Sequence, residues 1–163
     1  MKRLIVYYSR SGTTRTVATG LAKTLSADVE ELVDTKNRKG ALGSVVAGKD
    51  AVLKRYVAIS PPKTSPADYD LVIVGTPVWA STMCSAVRAY LTDFGANISK
   101  AAVFCTAMSA GMDETLEAMA RMIGGSTIAR MGFRQKEVRK GLHREKLNAF
   151  LADVTAEGSP DDC

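Results

Sequence analysis

The sequence predicts a doubly wound α/β fold, in which a parallel sheet of five strands has helices on both faces. Strand-like and helix-like segments alternate five times along the chain, as is typical of parallel sheets joined by helical crossovers. The strongest strand-like segment, residues 69–75, is apolar on both faces, as a central parallel strand must be. The 163 residues suffice for one domain with a full core and are too few for two ordinary domains.

The N-terminal part of the chain begins with a strand and a helix. Leu4, Ile5 and Val6 have the length and branching of a buried strand. Val17, Leu21 and Leu25 recur at helical spacing and predict an amphipathic helix. The next segments are a short strand over residues 29–33, a polar loop over 34–43, a short amphipathic helix around 51–53 and a connector over 60–66, whose prolines exclude a helix or a central strand.

The alternation continues to the C-terminus after the strand at residues 69–75. A loop over residues 76–83 precedes a helix whose apolar face is Val87, Tyr90, Leu91 and Phe94 and which ends at Gly95. The remaining elements are a buried strand over 101–106, a helix that Asp113 caps, a weaker strand over 127–131 and a last helix with apolar positions from Val138 to Val154.

The composition is that of an ordinary globular chain. Apolar residues make up 46% of the sequence, and no apolar run approaches the length of a membrane span. Met1 to Arg3 lead straight into the first strand, so we expect no signal peptide. Three scattered cysteines and a single histidine, His143, which we expect to be solvated, favour a reducing cytoplasm and no metal site. Residues 1–156 are expected to form a single domain and residues 157–163 a disordered acidic tail.

The turn from the first strand to the first helix predicts a phosphate site. Residues 9–14 include four hydroxyl side chains and one glycine: Ser9, Ser11, Thr13, Thr14 and Gly12. A helix start offers unpaired N–H groups and the positive end of a dipole, which bind anions readily. One hydroxyl is enough to cap a helix, so four hydroxyls favour an anion site over a plain cap.

Several more specific phosphate sites are excluded by this turn. It lacks the G-x-x-x-x-G-K-S/T pattern of a nucleotide P-loop. It also lacks the G-x-G-x-x-G pattern of a dinucleotide fold. No acidic pair ends the first strand, as a phospho-acceptor domain requires, and no cysteine in the turn offers a phosphatase nucleophile.

The segment Ser9-Arg10-Ser11-Gly12-Thr13-Thr14 resembles the phosphate loop of the flavodoxin family. That loop, Ser/Thr-x-Ser/Thr-Gly-x-Ser/Thr, holds the monophosphate of FMN without an obligatory basic residue. The resemblance covers roughly residues 2–154. It implies FMN as the cofactor and the flavodoxin-like strand order 2-1-3-4-5, with the ligand at the switch between strands one and three. The loops after strands one, three and four then face the ligand.

The loop after the third strand contains the only tryptophan of the chain, Trp79. An indole among small residues, four positions past a buried strand, indicates a flat surface for an aromatic ligand. The alternative is that the indole packs its own loop. Flavodoxins stack the isoalloxazine on an aromatic residue of this loop. The resemblance therefore implies FMN contacts from Thr76, Pro77, Val78, Trp79 and Ala80.

The loop after the fourth strand has no aromatic residue, although many flavodoxins supply a second one there, usually tyrosine. The resemblance implies FMN contacts from Thr106, Ala107, Met108 and Gly111. Met108 or Met112 is suited to cover the other face of the ring, because thioethers pack well on aromatics. Core filling is the alternative for both methionines.

The residues after Trp79 bear on the type of electron transfer. In flavodoxins the first is commonly glycine, whose peptide flips toward the reduced flavin, and an acidic residue often follows. Here Ala80 and Ser81 occupy these positions. Alanine costs about 1 kcal/mol at positive φ, and without the carboxylate full reduction is easier. The two one-electron potentials are therefore expected to lie closer together than in a typical flavodoxin.

Three functions are consistent with the sequence. The first is an FMN-binding electron carrier that shuttles electrons between redox partners. The second is an FMN-dependent reductase that takes hydride from NAD(P)H or passes electrons to a quinone or a porphyrinogen. The third is a flavin-free binding module, which the hydroxyl-rich turn and Trp79 disfavour. The chemistry in the first two is that of the cofactor, so no catalytic residue is assigned.

The formal net charge is +5, whereas flavodoxins are typically acidic. The basic residues cluster at Lys36, Arg38 and Lys39 and again at Arg134, Lys136, Arg139, Lys140, Arg144 and Lys146. Such a surface is suited to steer an acidic redox partner protein or NADPH, and solvated faces are the alternative. Nucleic-acid binding is not expected, because no aromatics interleave the clusters. For Cys84, near a helix start, a structural role is favoured over a reactive thiol.

Overall fold

The computed structural model describes residues 1–34 and 58–156 and has the predicted doubly wound α/β fold. The strands are β1 (Arg3–Tyr7), β2 (Asp28–Glu31), β3 (Leu71–Trp79), β4 (Thr82–Met83), β5 (Lys100–Ala107) and β6 (Ser126–Arg134). The helices are α1 (Thr13–Leu25), α2 (Ser85–Phe94), α3 (Met112–Ala120), α4 (Gln135–Arg139) and α5 (Arg144–Ala156). Most of the polar loop expected over 34–43, the short helix expected around 51–53 and the expected tail over 157–163 lie outside the described residues.

The strand order confirms the predicted topology. The parallel strands follow the order β2-β1-β3-β5-β6, which is 2-1-3-4-5 when the parallel strands alone are counted. The short strand β4 is an addition, and it pairs antiparallel with the end of β3. The switch point therefore lies between β1 and β3, where helices on opposite faces leave a crevice at the carboxyl ends of the strands.

Alternating side chains of the strands form two hydrophobic cores, one on each face of the sheet. On one face Leu4, Val72 and Val103 pack with residues of α2 and α3. On the other face Ile5 and Phe104 pack with residues of α1, α4 and α5. This period-two division is expected of strands that are covered on both sides.

The segment expected as a loop over residues 76–83 is a β-hairpin. The pairing of β1 with β3 ends at Gly75, but β5 remains paired with β3 as far as Pro77. Proline is tolerated there because it interrupts no hydrogen bonds toward β1, whose pairing has already ended. Val78 and Trp79 then pair with β4. β3 therefore continues beyond its apolar run, because its last residues pair with β5 and β4.

The last helix is divided in two, which the apolar pattern did not predict. Gly141 has φ +71°, and the N–H groups of Gly141 and Leu142 donate to the carbonyls of Val138 and Glu137. These two bonds form a Schellman motif, which ends α4. His143 follows the break and is half-buried edge-on against Phe133, with ring centroids 6.4 Å apart. The expectation that His143 is solvated is therefore wrong.

The start of α3 also differs from the expectation. Gly111, in the left-handed region, occupies the capping position, and Asp113 lies within the first turn of the helix. An acidic residue there still stabilises the helix through its dipole. None of the helices within residues 1–34 and 58–156 is both long and apolar enough to span a membrane.

Candidate functional site

The turn between β1 and α1 places a helix start at the carboxyl end of the sheet. Gly12 caps α1 with φ +88°, a region that glycine occupies without steric cost. The first turn of α1 contains no acidic residue, so no carboxylate there offsets the positive end of the helix dipole. The described residues provide no acceptor for the N–H groups of Thr13 and Thr14. These groups are available to an anion.

The four hydroxyls of this turn have different partners. Ser9 Oγ accepts a hydrogen bond from the backbone of α1 at 3.2 Å. Thr14 is buried, and its hydroxyl lies 2.8 Å from that of Thr106, which ties the turn to β5. The hydroxyls of Ser11 and Thr13 lie 3.4 Å apart and contact only each other within the described part of the chain. Ser11 and Thr13 are therefore the hydroxyls most available to a ligand.

Trp79 ends β3 and is half-buried. Its indole meets the ring of Tyr8 edge-on, with centroids 5.5 Å apart and an interplanar angle of 85°. It also packs against the core on the α2 and α3 face. Tyr8 directly follows β1, so its contact with Trp79 orients the indole beside the turn that follows this strand.

The hairpin after Trp79 turns through two residues in the left-handed region. Ala80 has φ +48° and Ser81 has φ +59°, as in a type I′ turn, which favours asparagine and glycine. Beneath the hairpin, Arg88 Nη2 donates to Thr82 Oγ1 at 2.8 Å. The turn is therefore strained at Ala80 and supported from α2.

The loop after β5 packs against this hairpin. Gly111 has φ +87°, and a Cβ there would lie 2.5 Å from the Cα of Ser81. Only glycine allows this approach. Met108 is 82% exposed, so the core-filling alternative does not hold for it. Met112 instead packs against the core.

A cleft of about 610 Å³ joins the three loops, a volume typical of small-molecule and cofactor sites. Its lining contains Arg10, Ser11, Thr13, Thr14, Pro77, Val78, Trp79, Ala80, Thr106, Met108 and Gln135. All of these except Gln135 were predicted from the sequence. Five other predicted residues, Ser9, Gly12, Thr76, Ala107 and Gly111, are not among its lining residues.

The predicted residues that do not line the cleft support the backbone of the loops that form it. The buried hydroxyl of Thr76 accepts a hydrogen bond from the N–H of Cys84 at 3.1 Å, which fixes the start of α2. Ala107 is the buried last residue of β5. Gly12 and Gly111 supply the left-handed caps of α1 and α3, respectively. These residues determine the shape of the cleft through its supporting backbone.

Gln135 and Tyr8 are the site residues that sequence reasoning missed. Gln135 begins α4, directly after Arg134, which pairs with Ala107 at the end of β5. That register brings Gln135 beside Met108. No local motif marks Gln135, and only the position of β6 next to β5 would have indicated it. Tyr8 was visible as an aromatic residue next to the hydroxyl-rich turn.

The guanidinium of Arg15, in the first turn of α1, forms an ion pair with Glu31 of β2. Arg15 and Glu31 form a two-bond contact at 2.6 and 3.1 Å, which is exposed and therefore contributes little stability. Tyr7 donates to Glu31 at 3.1 Å. Burial, and then the charge of Glu31, raises the pKa of Tyr7. The contact connects the first turn of α1 to β2.

Neither described cysteine has the properties of a reactive thiol. Burial raises the pKa of Cys84 to about 11. Burial also raises the pKa of Cys105 to about 12. Both thiols therefore stay protonated at neutral pH, and both belong to the core on the α2 and α3 face.

The donor set of the cleft fits a flavin mononucleotide. Ser11, Thr13 and the open N–H groups of α1 are donors suited to a phosphate. The indole of Trp79 and the thioether of Met108 line the same cleft and are suited to the faces of an aromatic ring.

The doubly wound sheet and the cleft at its switch point define a flavodoxin-like α/β protein. Residues 2–151 match the family model described as Flavodoxin. The chain belongs to the flavodoxin family, whose cofactor is FMN. No curated protein matches the sequence.

Several solved structures share this fold. A flavoprotein from Lactobacillus acidophilus NCFM in complex with FMN is 24% identical, with a TM-score of 0.70 over 85% of this chain and 97% of the other. A flavodoxin from Streptococcus pneumoniae TIGR4 is 14% identical, with a TM-score of 0.61 over 96% and 99% of the two chains. An NADPH-quinone reductase from P. pentosaceus is 13% identical, with a TM-score of 0.56 over 93% and 96%. Identities this low establish the fold alone.

Proposed function

We propose that this protein binds FMN in the cleft and transfers electrons between redox partners. The observation that supports this most strongly is that one cleft joins the α1 start to the half-buried indole of Trp79. A site for a flavin mononucleotide needs both an anion subsite and a flat apolar surface. When bound, FMN supplies reversible one- and two-electron chemistry.

The residues of the chain have distinct roles in this proposal. Ser11, Thr13 and the N–H groups of the first turn of α1 bind the phosphate. Trp79, oriented by Tyr8, stacks on one face of the ring system, and Met108 covers the other. Because Met108 is 82% exposed, its outer side remains accessible to a partner or substrate.

The test compares FMN with riboflavin, which lacks the phosphate. The double variant Ser11→Ala, Thr13→Ala removes two hydrogen bonds to a charged group, each worth about 1.5–3 kcal/mol. FMN affinity should fall at least tenfold, by about 1.4 kcal/mol or more, while riboflavin affinity should change little. The control variant Thr16→Ala removes a hydroxyl that donates to Gly12 O outside the cleft. Equal affinity of the wild-type protein for FMN and riboflavin would contradict the proposal.

A second candidate is an FMN-dependent reductase that uses NAD(P)H or a quinone. The hairpin after Trp79 favours it, because Ala80 and Ser81 replace the glycine and the acidic residue that favour one-electron chemistry in the family. Both replacements narrow the gap between the two one-electron potentials. An acidic redox protein and NADPH are the partners proposed for the basic surface.

A further inference from the structure

A second cavity of about 410 Å³ adjoins the cleft. Met108 and Gln135 line both cavities, so the two lie side by side. The second is otherwise lined by Lys136, Arg139 and Lys140, and we call it the basic annex. Ser11 and Thr13, in the hydroxyl-rich turn before α1, line the cleft but not the annex.

Within residues 1–34 and 58–156, no acidic side chain pairs with the cations of the basic annex. Lys136, Arg139 and Lys140 are spaced by three and four residues, which places them on one face of α4 and its end. All three are exposed, and none has an ion pair among the described residues. The acid of this helix, Glu137, is occupied by Lys146 at 3.0 Å. As far as the described part of the chain shows, the annex therefore presents positive charge beside the cleft with no acidic partner.

We propose that the basic annex binds the acidic group of a small-molecule electron donor or acceptor. This proposal rests on FMN binding in the cleft. The ligand has a carboxylate, phosphate or sulfonate at Lys136 and Lys140 and a redox-active part that reaches the cleft past Met108. The 82% exposed Met108 side chain provides the apolar contact between the two parts.

The electron balance of such a step is simple for a quinone acceptor. Conversion of a quinone to a quinol adds two electrons and two protons, with one proton to each carbonyl oxygen. These come from the fully reduced cofactor, which returns to its oxidised form. The annex takes no part in the transfer and serves to place the acceptor.

The experiment measures binding of two quinones to the FMN-loaded, oxidised protein, so that no turnover occurs. Naphthoquinone sulfonate is the anionic probe and menadione is the neutral one. In the annex variant Lys136→Gln, Lys140→Gln, the Kd of the sulfonate should rise about fivefold or more, since two charge pairs are lost. The Kd of menadione should be unchanged. The sulfonate should also shift the NMR signal of the Met108 methyl group.

The control variant Lys23→Gln, Lys63→Gln removes the same charge at exposed positions outside both cavities. It should leave both Kd values unchanged. This result would distinguish binding at the annex from a general attraction of the anion to a positively charged protein. The FMN affinity of the annex variant should equal that of the wild type.

Three results would overturn the proposal that the basic annex binds the acidic group of a ligand. One is a similar loss of affinity for both quinones in the annex variant, and another is an effect of the same size in the control variant. The third is weakened FMN binding in the annex variant, which would make these lysines part of the FMN site. FMN loading is measured first, and its failure in the wild-type protein would overturn the proposed function and the annex together.

Discussion

At the scale of single residues, Ala80 lies in a conformation that its side chain disfavours. An L-residue in the left-handed region costs about 1–2 kcal/mol, and Ala80 has φ +48° in the turn after Trp79. Ala80→Gly removes this strain but adds the conformational entropy of glycine, about 0.5–1 kcal/mol. The free energy of unfolding in urea should therefore rise by about 0.5–1 kcal/mol.

The control for this variant is Ala67→Gly, at an exposed position without positive φ. It should lower the free energy of unfolding by about 0.5–1 kcal/mol. In the FMN-loaded protein, Ala80→Gly should also widen the gap between the two one-electron potentials, by about 43 mV for each kcal/mol by which the glycine stabilises the one-electron-reduced state relative to the oxidised state. If the gap between the two potentials is unchanged, the conformation of Ala80 does not determine whether the flavin transfers one or two electrons.

The two buried thiols give a prediction about pH. In a Cys163→Ser variant, Cys84 and Cys105 are the remaining thiols. With its pKa raised from the usual 9.0 to about 11, Cys84 is about 0.1% thiolate at pH 8. An aromatic disulfide reagent should therefore not react with the folded variant at pH 8, and it should modify both thiols after unfolding in guanidinium. Rapid reaction of the folded variant would contradict the burial of these thiols.

The same raised pKa values determine how stability changes with pH. Above about pH 9 the unfolded chain loses thiol protons that the folded chain still holds. The free energy of unfolding should therefore be unaffected by these groups below pH 9. It should fall as the pH rises from 9 through 11.

At the scale of elements, the site depends on the contact between the β3–β4 hairpin and the loop after β5. Gly111→Ala would place a Cβ 2.5 Å from the Cα of Ser81. Gly141→Ala is the matched control, because Gly141 has a similar positive φ of +71° but nothing within 4 Å of the added carbon. In both variants the alanine introduces left-handed strain, which should lower the free energy of unfolding by about 1–2 kcal/mol.

Only Gly111→Ala should also separate the hairpin from the loop. We expect a larger loss of unfolding free energy than in Gly141→Ala, together with weaker FMN binding. Urea unfolding and FMN titration of both variants measure these effects. Equal stability and equal FMN affinity in the two variants would show that the loop contact does not organise the cleft.

At the scale of the whole molecule, the sheet and the cleft at its switch point could be predicted from the sequence for physical reasons. Strands such as residues 71–75 are apolar on both faces because helices cover both faces of the sheet. The turn at Ser11 to Thr13 was recognisable as a candidate phosphate site, because small and hydroxyl side chains next to a helix start suit an anion. Trp79 was recognisable because a large aromatic residue in a row of small ones is unusual.

The features that the sequence did not reveal depend on contacts between distant segments. The extension of β3 through Pro77 follows from pairing with β5 and β4, which no local pattern shows. Gln135 lines the cleft because β6 lies beside β5. The break at Gly141 was locally encoded, since a glycine followed by the apolar Leu142 is a common helix end, but the apolar spacing continued across it.

The proposed function requires FMN to lie in the cleft beside Trp79, and the fluorescence emission of Trp79 reports whether it does. Trp79 is the only tryptophan, so its fluorescence reports on this one wall of the cleft. The apoprotein is titrated with FMN, and free tryptophan at the same FMN concentrations corrects for absorption of light. We expect the emission to be almost abolished and to saturate at one FMN per chain. Emission that stays unchanged while FMN binds would show that the flavin does not lie against Trp79.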